Sequence, residues 1–164
     1  MIERLKVKAN RVVTEGKHMS QMIFINLPVT DLERSIAFYE GVGAAKEPKF
    51  SNESAAMMVF SDTISVMLLT HPFYSGFTTK PIADAHQTSQ VLLCLSRDSR
   101  QAVDEMVAKA GAAGGKIDVA PKQEMGGMMY GRSFEDPDGH HWEVMWMDAA
   151  AAEQGASSFE TADA

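Results

Sequence analysis

The chain has 164 residues, is 45% hydrophobic and 23% charged, and carries a formal net charge of -7. This composition excludes a disordered chain and argues against a general nucleic-acid binder, which would show a basic patch. A single cysteine, Cys94, excludes an intrachain disulfide and a cysteine-based zinc site, and no apolar run reaches the roughly 18 residues of a membrane span. A soluble, cytoplasmic protein is expected, of one domain or two small packed modules.

Residues 1 to 18 hold five basic and two acidic side chains, so the rest of the chain carries -10. The segment lacks the apolar stretch of a secretory signal. Two readings stand side by side for residues 1–20. In one, Met19 is the start and a translated leader precedes it, because Thr14 to Met19 can be encoded by a purine-rich, ribosome-binding-like stretch. In the other, the segment is a frayed N-terminal extension.

Met22 to Leu27 reads as a strand that Pro28 closes. Thr30 and Glu33 have the spacing of a capping box, in which the Thr30 hydroxyl accepts from the Glu33 amide. Leu32, Ile36 and Tyr39 then follow at helical spacing until Gly41 and Gly43. Strands are predicted at 45–51, 55–60 and 64–70, with Ser61 to Thr63 as the turn between the last two. The order then repeats. Gln90 to Leu95 is a strand, and Asp98 or Ser99 caps a helix carrying Val103, Met106, Val107 and Ala110. Strands are predicted at 118–124, 128–134 and 140–147, the last two joined by the turn Asp136-Pro137-Asp138-Gly139.

The expectation is therefore α+β: two βαβββ modules, 21–70 and 88–148, joined by a connector at 71–87. Neither half can bury both faces of its strands alone. Together they can form a curved mixed sheet, with helices on the convex side and a concave groove for a ligand. Residues 149–164 are rich in alanine, serine and acid and are expected to form a flexible tail.

Two stretches carry a family resemblance. Val29-Thr30-Asp31-Leu32 through Phe38-Tyr39 opens the first module, and Phe134-Glu135-Asp136-Pro137-Asp138-Gly139-His140-His141-Trp142-Glu143 closes the second. In this order and separation they resemble the vicinal oxygen chelate superfamily of glyoxalase I, extradiol dioxygenases and bleomycin-resistance proteins. The resemblance implies a homodimer that binds a small molecule, and the composition leaves no nucleic-acid or membrane partner expected.

It also implies where a divalent ion would sit in metal-dependent relatives. Their ligands come from the first and last strand of each module and are His, Glu or Gln, because such ions take nitrogen and oxygen donors. Those positions fall here on Phe24, Leu68, Gln90 and Glu143. Two of the four cannot ligate, so no metal cofactor is expected and an extradiol dioxygenase is not favoured. If zinc or nickel binds after all, Glu143, Gln90 and His141 are the ligands to expect.

Without a metal, Glu143 is read in two ways. It is a buried general base, with Gln90 and Tyr130 as catalytic partners in a lyase- or isomerase-like reaction. Or it is a carboxylate simply held by one of them. Phe24, Leu68, Arg132, His141, Met145 and Met129 are the expected substrate-binding set. Arg132 either grips a carboxylate or phosphate or pairs with Glu135 or Asp136. The methionines suit an adaptable apolar pocket. Cys94 is expected to be a small buried hydrophobe. The alternatives to an enzyme are a non-catalytic binder of a hydrophobic or cationic compound and a metal-dependent lactoylglutathione lyase-like enzyme.

Overall fold

The computed structural model describes residues 21–155. The leader or extension expected at the N-terminus lies outside them, as does the end of the expected tail. The first module runs β1 (Ile23–Val29), α1 (Leu32–Val42), β2 (Ala45–Glu47), β3 (Ala55–Val59) and β4 (Ile64–Thr70). Its strand order is β1-β4-β3-β2, with β1 and β4 parallel and the other pairs antiparallel. A short helix, α2 (His71–Tyr74), opens the connector. The second module runs β5 (Leu93–Ser96), α3 (Arg100–Ala112), β6 (Lys116–Ile117), β7 (Gln123–Met125), β8 (Met129–Glu135) and β9 (His141–Met147). Its order is β5-β9-β8-β6, with β7 also pairing to β8.

The expected single curved sheet is thus two mixed sheets of four and five strands, with no ladder joining them among the described residues. Of the stretch predicted as a strand at 118–124, only Gln123 and Glu124 are in one, β7, while β6 precedes it at Lys116–Ile117. Asp118 between them takes a positive φ of 52°, which interrupts the ladder. The expected tail also departs from prediction at its start. Asp148 caps a further helix, α4 (Ala149–Gln154), accepting from the amides of Ala150 and Ala151, and Ala151 is buried.

One core serves both modules. The inward faces of α1, β3 and β4 and of α3, β8 and β9 form a single apolar cluster. Its centre is aromatic: Phe38 and Tyr39 of α1 meet Phe134 and Trp142 of the second module with ring centroids 6.0 and 6.1 Å apart. Gly115 permits this approach, since a Cβ there would stand 2.8 Å from the Phe38 ring and 2.6 Å from the Glu135 carbonyl oxygen.

A polar latch joins the modules at the two sequence motifs. Asp138 Oδ1 accepts from the Thr30 amide at 2.9 Å and the Thr30 hydroxyl at 2.6 Å, and Oδ2 lies 3.1 Å from Ser35 Oγ. The Thr30 hydroxyl is therefore not the helix cap that its spacing predicted; Asp31 is the N-cap and accepts from the Arg34 amide. Asp136 accepts from the amides of Asp138 and His140 and from the Tyr39 hydroxyl at 2.8 Å. Tyr39 in turn accepts from Trp142 Nε1 at 3.0 Å, and His140 Nε2 donates to the Pro28 carbonyl at 2.8 Å. The motif residues hold α1 and β1 against the β8–β9 turn, so their role in this fold is structural. None of the described helices is long and apolar enough to cross a membrane.

Candidate functional site

Strand alternation decides which side chains face the groove. On β4, Val66 and Leu68 are fully buried in the helix-side core, so Ser65, Met67 and Leu69 point to the opposite face. Leu68 is therefore not a substrate contact: the expected alignment placed it one residue out of phase. Phe24 lies on the helix-free face of β1, opposite Ser65 in register, and is about half exposed.

The same argument divides the second module. On β9, Trp142 and Val144 are buried in the core, which leaves His141, Glu143, Met145 and Met147 on the helix-free face. Register adds Met129, Gly131, Ser133 and Glu135 from β8 to that face. Tyr130 and Arg132 therefore fall on the helix side. The Tyr130 hydroxyl donates to Asp104 of α3 at 2.8 Å, and the Arg100 guanidinium lies 4.5 Å from its ring centroid. Arg132 binds Asp104 at 2.8 Å and Asp118 through two nitrogens at 2.9 and 2.8 Å. Those two hydrogen-bonded carboxylates, Asp118 before Asp104, raise Arg132 further against the opposing effect of burial. Tyr130 faces away from Glu143, whereas Arg132 lines the same slot as Glu143 with its guanidinium taken by Asp104 and Asp118; the acid partners expected for Arg132, Glu135 and Asp136, are not the ones it uses.

Of the cavities among the described residues, two hold expected site residues. The smaller is a narrow slot of about 40 Å³ lined by Cys94, Gln123, Glu143 and Met145, among others. Gln123 Nε2 donates to Glu143 at 3.4 Å. Cys94 pairs with Glu143 in register and is exposed, not buried as expected. Burial of the thiol face, then the Glu143 charge, push the Cys94 thiol above its ordinary value, so it is held as a thiol.

The larger cavity, about 500 Å³, lies between β1, the connector and the β8–β9 turn. That volume is in the usual range for small-molecule pockets. Its polar wall includes Asn26, Gln90, Glu135 and His141, and its apolar wall includes Ile25, Val91 and Leu93. Glu135 and His141 stand opposite one another across the β8–β9 ladder. His141 Nε2 is enclosed and has no hydrogen-bond partner. The connector closes over the turn because Gly139 has φ +89° and no side chain; a Cβ there would stand 2.7 Å from the His86 amide nitrogen.

Of the expected catalytic set, the structure keeps none together. Gln90 lies outside β5, three residues before its start, and lines the large cavity, whereas Glu143 lines the slot and Tyr130 the other face. His141 shares its face with Glu143, Met145 and Met129 and its cavity with Gln90. Sequence reasoning missed Asn26 and Glu135 as cavity residues. The signal for Glu135 was present, since it mirrors His141 across the predicted turn.

The family's divalent ion does not suit these residues. Phe24 and Leu68 offer no donor, Gln90 and Glu143 line different cavities, and no group of three His, Cys, Asp or Glu side chains that could hold an ion is gathered among the described residues.

A family model described as "Glyoxalase/Bleomycin resistance protein/Dioxygenase superfamily" matches residues 21–144. The chain belongs to this superfamily. Solved structures agree on the fold. A hypothetical protein from S. aureus is 26% identical over 79% of this chain and 96% of its own, with a TM-score of 0.64. A glyoxalase/bleomycin resistance protein/dioxygenase family enzyme from Burkholderia phytofirmans is 18% identical over 79% and 100%, also at 0.64. The fosfomycin resistance protein FosX from Mesorhizobium loti is 19% identical over 84% and 98%, at 0.56. No curated protein matches the chain.

Proposed function

We propose that this superfamily member binds a small molecule in the cavity between β1, the connector and the β8–β9 turn. One observation carries the reading: a ligand-sized cavity of about 500 Å³ walled by both modules, with Asn26, Gln90, Glu135 and His141 among its lining. The test is a thermal-shift screen of small molecules on the wild-type chain and on Gln90→Trp, which fills the cavity from its rim. Hits that stabilise the wild type and not the variant support the reading. Hits equally effective on both place the ligand elsewhere.

The reading as an enzyme rests on Glu143 as base, supported by its place beside Cys94 and Gln123 and on the same face as His141. Recovering a bound hit separates the two: an unchanged compound fits a binder, and an altered one fits a lyase- or isomerase-like reaction. Metal analysis of protein purified without chelators bears on the third possibility. Near-stoichiometric zinc or nickel, lost on Glu143→Ala, would overturn the metal-free reading. A cytoplasmic homodimer is proposed as well. Among the described strands β1 and β5 are edges, with Ile23, Phe24, Val91 and Leu92 exposed on or beside them. Sedimentation at micromolar concentration tests it.

A further inference from the structure

The charge of the cavity wall says which ligands it suits. Its lining includes one carboxylate, Glu135, three histidines, His86, His140 and His141, and neither lysine nor arginine. Asn26 and Gln90 add amide groups, each with an acceptor oxygen. An anion entering this space would meet no cationic side chain of lysine or arginine and would leave Glu135 facing a like charge. An ammonium group carries three donors and no acceptor, which the Glu135 carboxylate and the amide oxygens can accept. Around it, Ile25, Val91 and Leu93 offer apolar surface for the rest of the molecule.

One cation does reach Glu135. Lys116 Nζ lies 3.5 Å from Glu135 Oε2, but its side chain is 70% exposed and it is not part of the cavity lining. An ion pair that open to water is weak and yields readily to a desolvated partner. Glu135 itself is only 21% exposed, so a cation reaching it from the cavity side is better shielded from solvent than Lys116 is.

We propose that the cavity takes a cationic amine with an apolar body, its ammonium held by Glu135. This rests on the proposed small-molecule site and adds the chemical class of its ligand. The test uses three probes that share one ring system and differ only in the end group: tryptamine, the corresponding alcohol and indole-3-acetate. Binding of each to the full chain is measured by titration calorimetry. The amine should bind about tenfold or more tightly than the alcohol, as a charge-assisted hydrogen bond requires, and the acid should bind least. Glu135→Gln should erase the preference for the amine over the alcohol. Equal or tighter binding of the alcohol or acid overturns the proposal, as does no binding of the amine at about 1 mM or a preference that survives Glu135→Gln. The site reading fails separately. If neutral screen hits still lose binding on Gln90→Trp while the amine shows no preference, the cavity stands and only the ligand class is wrong.

Discussion

Replacing Asp138 with alanine removes the junction between the β8–β9 turn and the start of α1. Three contacts go: the Thr30 amide at 2.9 Å, the Thr30 hydroxyl at 2.6 Å and Ser35 Oγ at 3.1 Å. Bonds to an ionised acceptor contribute about 1.5–3 kcal/mol each. The sum must be discounted, because Ser35 also reaches the Asp31 carbonyl at 2.9 Å and neighbouring bonds are not additive. Arg34, 3.5 Å away and half exposed, adds little. The expected loss is about 3–4 kcal/mol. For a domain of this size that lowers Tm by roughly 8–14 °C. Asp138→Asn keeps one acceptor oxygen and should lose about half as much. Circular dichroism melts at pH 7 read both values. A shift below about 2 °C for the alanine variant, with an unchanged denaturant slope, would refute the latch as a main tie between the modules.

Acid should loosen the same region. Burial pushes the Asp138 carboxyl up, but Thr30, Ser35 and the Arg34 charge outweigh it and hold it below the ordinary range. Its stabilisation is therefore complete above the unfolded value of about 3.9 and is lost as pH falls through the lower folded one. The Tm of the wild type should drop more steeply below about pH 4 than that of Asp138→Asn. Leu68→Ala should cost about 2–5 kcal/mol, as core truncations do, and Met67→Ala on the opposite face clearly less; equal costs by denaturant titration would refute the face assignment. Arg132→Ala should cost about 1–2 kcal/mol, discounted because Asp104 faces water, and leave ligand affinity unchanged by calorimetry. Cys94 should alkylate with iodoacetamide, since it is exposed, but more slowly than a free thiol at pH 7. Glu143→Gln should quicken it by removing the nearby charge; a slower rate in that variant would contradict the geometry.

Local patterns in the chain determined most of the architecture. Alternation and turn chemistry placed β4 at 64–70 and the β8–β9 hairpin to within a residue. Both signals are local, since they arise from side-chain period and from turns that Asp, Pro and Gly favour. The face of each strand was legible wherever a large apolar residue marked it, as Trp142 and Val144 do on β9. It was lost where both faces are apolar, and so Leu68 was assigned to the groove in place of Met67.

What tertiary structure decided is which polar residues meet. Thr30 and Asp138 are 108 positions apart, and nothing in the spacing of either shows that the hydroxyl expected to cap a helix instead donates to the other module. Arg132 found Asp104 and Asp118 because packing of α3 and the positive φ at Asp118 bring both to one edge. Gln90, Tyr130 and Glu143 looked like one site on an assumed alignment. They were separated by a strand that starts three residues later and by the two-sidedness of β8. Hydrogen bonds and ion pairs act over a few ångströms, so a site is defined only once the chain has closed on itself. For this chain that closure moved the centre of interest from Glu143 to the cavity shared by Asn26, Gln90, Glu135 and His141.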